Sequence, residues 1–153
     1  KQREKDDAGA TVASVLDGIP PALPALARSQ KIQGRAANTG FDWPDIEGVF
    51  DKLAEEVAEV RAAATADEKR AELGDVLFVV VNLARWLGVD AEKALRESNE
   101  RFMARFRGVE GLAAERELNL SSLSFAALDD LWREAKAALA QSDVADSITG
   151  EPE

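Results

Sequence analysis

The chain of 153 residues is 46% apolar, enough for one domain with a core of its own. Without cysteine or histidine it can form no disulfide, thiolate metal site or histidine acid–base pair, so any metal it holds must be hard and oxygen-ligated: Mg²⁺, Mn²⁺ or Ca²⁺. A formal charge of −10, from 29 acids against 19 bases, repels nucleic acid backbones and anionic membranes, and a phosphorylated substrate too unless bound cations reverse the local sign.

Residues 1–17, "KQREKDDAGATVASVLD", are charged and then small, and read as a linker or frayed end. Residue 1 is Lys and the one methionine is internal, so the chain reads as a fragment or a processed form. "GIPPALP" sets an extended entry, and a first helix is expected from Ala25 to about Ala37. "NTGFDWP" breaks it, with Gly40 as the stop signal and Pro44 in the first turn of a second helix, about 44–64. "TAD" at 65–67 turns the chain and caps a third helix of about 67–87. "LGVD" closes that helix, with Gly88 past its end and Asp90 capping a fourth, about 90–110. "NLSSLS" is a loop, 125–140 a short last helix, and 141–153 a polar tail expected to be disordered. The domain proper is thus placed at 18–140.

"VLFVVV" at 76–81 has the composition of a strand, but its helical flanks and total length favour a buried helix. The predicted class is all-α, a bundle of four to five helices. The apolar run is too short to span a bilayer and no signal segment opens the chain. The expectation is a soluble, cytoplasmic protein whose partners include neither membrane nor nucleic acid polymer.

At 100° per residue, Ile46, Val49, Phe50, Leu53, Val57 and Val60 share one face of the second helix, and Glu55, Glu56 and Glu59 another. Taken alone, the acids could be a solvated stripe. On the third helix Glu72 and Asp75 lie on the side that continues through Val79, Leu83 and Trp86, with Asn82 beside it. Ionised acids on a buried face need a proton, a basic partner or a divalent cation. Lys69 and Arg70 offer a local salt-bridged alternative, and the helix dipole favours acids in a first turn in any case. Two helices joined by a short turn pack antiparallel, so Glu56-x-x-Glu59 should meet Glu72-x-x-Asp75. One or two Mg²⁺ ions would resolve the repulsion of four converging carboxylates.

Three segments in order, "KIQGRAANTGFDWPDIEGVFDKLAEEVAEV", "ELGDVLFVVVNLARWLG" and "NERFMARFRGVE", resemble the MazG nucleoside triphosphate pyrophosphohydrolases. The family motif E-E-x-x-E, a gap, then E-x-x-D is met here by Glu55, Glu56, Glu59, Glu72 and Asp75. The likeness covers about residues 20–135 and is greatest to the C-terminal catalytic domain of two-domain members. It implies an all-α fold that forms a homodimer or higher homo-oligomer through helices. It also implies hydrolysis of a nucleoside or deoxynucleoside triphosphate to the monophosphate and pyrophosphate, with Mg²⁺ (or Mn²⁺ in its place) held by the motif.

On that resemblance Glu56, Glu59, Glu72 and Asp75 are the expected metal ligands, and Glu55 the residue that positions or deprotonates the attacking water. Asn99, Arg101 and Arg105 in "NERFMARF" are expected at the triphosphate, although Arg101 stands where family members commonly have Lys; the alternative is surface arginines balancing Glu97 and Glu100. Lys52 could meet a phosphate or make a helical ion pair with Glu55 or Glu56. Lys31, Gln33 and Arg35 lie in a region expected to shape the nucleotide site. Trp43 either stacks on a base or anchors a helix start, and Asn82 either supports Asp75 or packs between helices. Trp86 and Phe102 read as core, and Trp132 as the anchor of the last helix.

A different class of function remains open on sequence: a non-catalytic helical domain for oligomerisation or partner binding, its acids a solvated face. A ferritin-like di-iron bundle is excluded, because its E-x-x-H ligands need histidine.

Overall fold

The structure, a computed structural model, describes residues 13–149, with side chains as far as 144. Five helices appear in order: α1 (Ala25–Ala37), α2 (Ile46–Ala62), α3 (Ala66–Trp86), α4 (Ala91–Glu115) and α5 (Phe125–Thr149), with a short 3₁₀ turn at Leu120–Ser122. No strand occurs among the described residues. The all-α expectation holds, and "VLFVVV" lies inside α3.

The helix ends follow local chemistry. Asp45 caps α2, its Oδ1 accepting from the backbone N–H of Glu47 (3.0 Å) and Gly48 (3.3 Å). Pro44 therefore precedes the cap and is not in the first turn, as the sequence reading had placed it. Thr65 and Glu68 form a reciprocal capping box at the start of α3. The Asp90 carboxylate accepts from Lys93 N–H at 2.9 Å as α4 begins. Gly40 (φ 92°) and Gly88 (φ 67°) take the left-handed conformation that ends α1 and α3. The largest departure is α5. It runs to Thr149, past the expected end at 140, so residues 141–149 of the anticipated tail are helical. Residues 1–12 of the anticipated linker and 150–153 of the tail lie outside the described residues.

The chain divides into two compact units between Ala94 and Leu95. In the first, α3 packs against both α2 and α1. The α2–α3 connection is only residues 63–65, which folds the two helices back on each other. Val49, Val79, Val81 and Ala91 are its buried apolar residues. Gln30 fixes the α3–α4 turn to α1, donating from Nε2 to the Val89 carbonyl (2.8 Å) and accepting at Oε1 from Ala91 N–H (2.9 Å). Gln33, 7% exposed, ties α1 to α3 by donating to the Phe78 carbonyl at 3.0 Å.

In the second unit Val109, Leu131 and Ala135 form a buried core, with Leu112, Leu120, Leu123 and Trp132 against it. Gly108 lets α4 approach α5: a Cβ there would stand 3.1 Å from that of Ala135. Trp132 anchors α5 as expected, with Phe102 tilted against it at 5.3 Å.

Two burial expectations fail in this chain. Phe102 is 57% exposed, so it lies at an edge of its unit and not in the core. Within the first unit helix α3 packs against α1 and α2, and Leu73, Leu77, Phe78 and Val80 are about half exposed. Composition shows that a helix is apolar all round. It does not supply enough neighbours within one unit to cover every side.

Candidate metal and nucleotide site

The α2–α3 hairpin brings the five motif acids together. Glu55, Glu56 and Glu59 each offer a carboxylate oxygen within 4.8 Å of the others', and Glu56, Glu72 and Asp75 do the same. The four expected metal ligands thus fall into two groups that share Glu56. That residue is 4% exposed, while Glu55, Glu59 and Asp75 are open to solvent and Glu72 is half-buried. The helical wheel gives only its nearness to the apolar face. Glu56 is seven residues after the fully buried Val49, roughly 20° around the helix, so it edges the apolar face.

Lys52, one turn earlier, reaches Glu56 Oε1 at 2.6 Å and Glu55 Oε1 at 3.0 Å. The ion pair that the sequence left open is therefore made, with both acids. These hydrogen bonds, first to Glu56 and then to Glu55, raise Lys52 above the ordinary lysine value. The Lys52 hydrogen bond likewise holds Glu56 below the ordinary carboxylate value, against its burial. Glu56 Oε2 has no hydrogen-bond partner although it is buried. Glu59 shifts the other way: the hydrogen bond a protonated Glu59 makes with Glu56 raises it, and so do burial and the charges of Glu56, Glu72 and Glu55. A proton on Glu59 and a cation between the carboxylates are two remedies for the same excess of negative charge.

The donor set fits a hard divalent ion. It is all oxygen and drawn from two packed helices, and its central carboxylate has a buried oxygen without a donor. Glu56, Glu59, Glu72 and Asp75 are the side chains that could hold it.

A separate cavity of about 400 Å³ in the first unit is lined by Ile32, Gln33, Ala36, Phe78, Asn82 and the 40–43 loop with Trp43. None of the five acids lines it. Trp43 packs its ring over α2 where Gly48 leaves room; a Cβ at 48 would lie 2.6 Å from Trp43 Cε3. The loop is tied down by Arg85, which donates to Asp42 Oδ1 at 2.5 Å and to Asn82 Oδ1 at 2.9 and 3.1 Å. Burial pushes Asp42 up, but the Arg85 hydrogen bond and charge and the Trp43 backbone N–H outweigh it, and Asp42 ends below its ordinary value. Asn82 thus faces Arg85 and the cavity rather than serving Asp75. Neither Asp42 nor Arg85 stood out in the sequence, since they pair across 43 residues.

The other expected substrate contacts divide between the two units. Lys31, exposed on α1, lines a different hollow with Gln30, Gly88, Val89 and Asp90. Arg35 is engaged by the entry segment, donating to the carbonyls of Val15 (3.1 Å) and Asp17 (2.5 Å). Asn99, Arg101 and Arg105 belong to the second unit. There Asn99 and Arg101 are exposed, and Arg105 stands over the Trp132 ring at 5.8 Å.

The class defined by the fold and the site is an all-α domain whose α2–α3 hairpin carries E-E-x-x-E and E-x-x-D on facing helices. Residues 46–109 match the family model of the MazG nucleotide pyrophosphohydrolase domain, and the chain belongs to the MazG family. Over 128 residues it is 45% identical to the nucleoside triphosphate pyrophosphohydrolase of Escherichia coli K12, covering 80% of this chain and 49% of that protein. It is 41% identical over 136 residues to the nucleoside triphosphate pyrophosphohydrolase/pyrophosphatase MazG of Thermotoga maritima, covering 89% and 52%. A third relative, the uncharacterized protein YabN of Bacillus subtilis, is 38% identical over 137 residues, 87% of this chain and 28% of that protein. The chain spans about half the length of the first two relatives.

Proposed function

We propose that the chain hydrolyses nucleoside or deoxynucleoside triphosphates to the monophosphate and pyrophosphate, using Mg²⁺ held by Glu56, Glu59, Glu72 and Asp75. The observation that carries this reading is Glu56: buried to 4% exposure, with an oxygen no donor reaches, where the two acidic groups meet. A merely solvated acidic stripe would leave that side chain in water. The names of the relatives from E. coli and T. maritima support the substrate class.

Bound at these carboxylates, the cation supplies charge neutralisation and Lewis acidity toward the phosphate oxygens. The chain's own residues do the rest. Glu55, next to Glu56 and open to solvent, takes the proton of the attacking water, a role for which no histidine is present. The water oxygen bonds to the α-phosphorus as the bond to the bridging α–β oxygen breaks, and pyrophosphate leaves. Lys52 lies close enough to the acids to meet an anionic phosphate once it leaves them. The Trp43 cavity, apolar and latched by Arg85 to α3, suits a flat base stacked on an aromatic ring. On family resemblance alone, Asn99, Arg101 and Arg105 are assigned to the polyphosphate, and Lys31 and Arg35 to shaping the nucleotide site. The half-exposed α3 stripe of Leu73, Leu77 and Val80 supports packing against a second copy.

The test is pyrophosphate release from a panel of NTPs and dNTPs with Mg²⁺. Glu59→Gln and Asp75→Asn should each lower the rate on the order of 100-fold or more, a scale reached even by residues that merely support a metal ligand. Far-ultraviolet circular dichroism should show their helicity intact. Release at the wild-type rate by either folded variant refutes the metal assignment.

A further inference from the structure

Lys52 makes an unusual demand on the acidic site. Its ammonium holds Glu56 Oε1 at 2.6 Å, while Glu56 Oε2 is buried without a donor among the carboxylates of Glu59, Glu72 and Asp75. One carboxylate is thus engaged by a cation of the chain on one oxygen and left unsatisfied on the other. The same ammonium also holds Glu55 Oε1, the acid next in sequence. Two neighbouring carboxylates that would repel one another are bridged by a single positive charge. The Lys52 side chain is 33% exposed, so it has room to leave. Lysine suits the part. Its charge is compact and sits on a flexible four-carbon stem, whereas an arginine fork fixes its partners in one plane.

We propose that Lys52 is a built-in counter-cation of this site, which compensates Glu55 and Glu56 in the metal-free chain and competes with a divalent ion for Glu56. The inference rests on the metal-site reading above. The physical reason is direct: an ammonium held on Oε1 repels a dication approaching Oε2 of the same carboxylate and draws electron density away from it. Ion binding at Glu56 must therefore work against Lys52. Removing the ammonium should tighten ion binding and destabilise the ion-free protein.

The experiment titrates Mn²⁺ into the full chain without nucleotide, reading free Mn²⁺ by electron paramagnetic resonance, with thermal melts in EDTA alongside. Lys52→Met should tighten Mn²⁺ about two- to fivefold, the scale of one partly exposed charge pair, and lower the Tm in EDTA. Lys52→Gln, which keeps a hydrogen-bonding group without the charge, should tighten Mn²⁺ as well and covers the case in which the methionine variant does not fold. Lys52→Arg, which keeps the charge, should not tighten Mn²⁺. Mn²⁺ affinity that is unchanged or weaker in a folded, uncharged variant overturns the proposal. Asp75→Asn separates the two readings. If it abolishes Mn²⁺ binding while the Lys52 variants bind like wild type, the competition fails and the metal site stands. If it leaves Mn²⁺ affinity unchanged, the metal site itself fails, and the proposal with it.

Discussion

Glu56 and Glu59 are three residues apart on one helix, yet their pKa values move in opposite directions. Lys52 favours the ionised form of Glu56, and that negative charge in turn favours a proton on Glu59. The two shifts act in separate pH windows of the metal-free protein. Glu56 has a folded value below its ordinary 4.5, so its contribution is present above that pH and lost as pH falls through the folded value. Glu59 has a folded value above 4.5, so the native state holds its proton more tightly than the unfolded chain. Its contribution is full below 4.5 and lost as pH rises through the folded value. In EDTA, the Tm measured upward from pH 4.5 should therefore carry a falling component that Glu59→Gln removes. A wild-type profile superimposable on that of Glu59→Gln would contradict the shared-proton account. The sequence made these residues legible as acids on one face, because spacing alone sets that. It did not reveal that one is buried and its neighbours exposed, since this depends on how far the α3 partner covers the edge of α2.

The α2–α3 hairpin, more than any single helix, builds the site, and its precision depends on three connecting residues. At its turn Thr65 Oγ1 accepts from Glu68 N–H at 3.1 Å, while Glu68 Oε2 accepts from the N–H groups of Ala64 (2.8 Å) and Thr65 (2.9 Å). These bonds satisfy donors that a helix start otherwise leaves bare. Thr65→Ala should cost about 1 kcal/mol, which lowers the Tm by about 2–4 °C in a chain of this size. Because Thr65 touches none of the five acids, pyrophosphate release well below the melting range should not change. A thermal melt and a rate measurement at room temperature check the two halves. Helix starts at Thr65 and Asp90, and stops at Gly40 and Gly88, were legible because capping and positive φ are local properties of a few residues. The end of α5 was not. Residues 141–149 are polar but hold neither Gly nor Pro, so their composition is no stop signal and helix can continue through them. The exposed side of α3 was illegible for the opposite reason: burial belongs to the surroundings and not to the segment.

For the whole molecule, a net charge of −10 makes the carboxylate site part of a larger problem of self-repulsion. Any cation relieves that repulsion somewhat, by screening, and a site-bound ion relieves it where it is most concentrated. The two effects separate by stoichiometry and by mutation. A ligand that binds only the native state stabilises it by RT ln(1 + [L]/Kd), about 2.7 kcal/mol at a hundredfold excess over Kd. For a chain of this length that corresponds to a rise in Tm on the order of 5–10 °C. Mg²⁺ should produce this rise at ionic strength held constant with NaCl, where general screening contributes equally to both samples. Glu59→Gln and Asp75→Asn each keep most of the net charge but lose a ligand, so they should lose most of the Mg²⁺-specific rise while still responding to NaCl. A non-catalytic helical domain with a solvated acidic face would behave differently. Its Tm would follow ionic strength alone, and the two variants would melt like the parent in either salt.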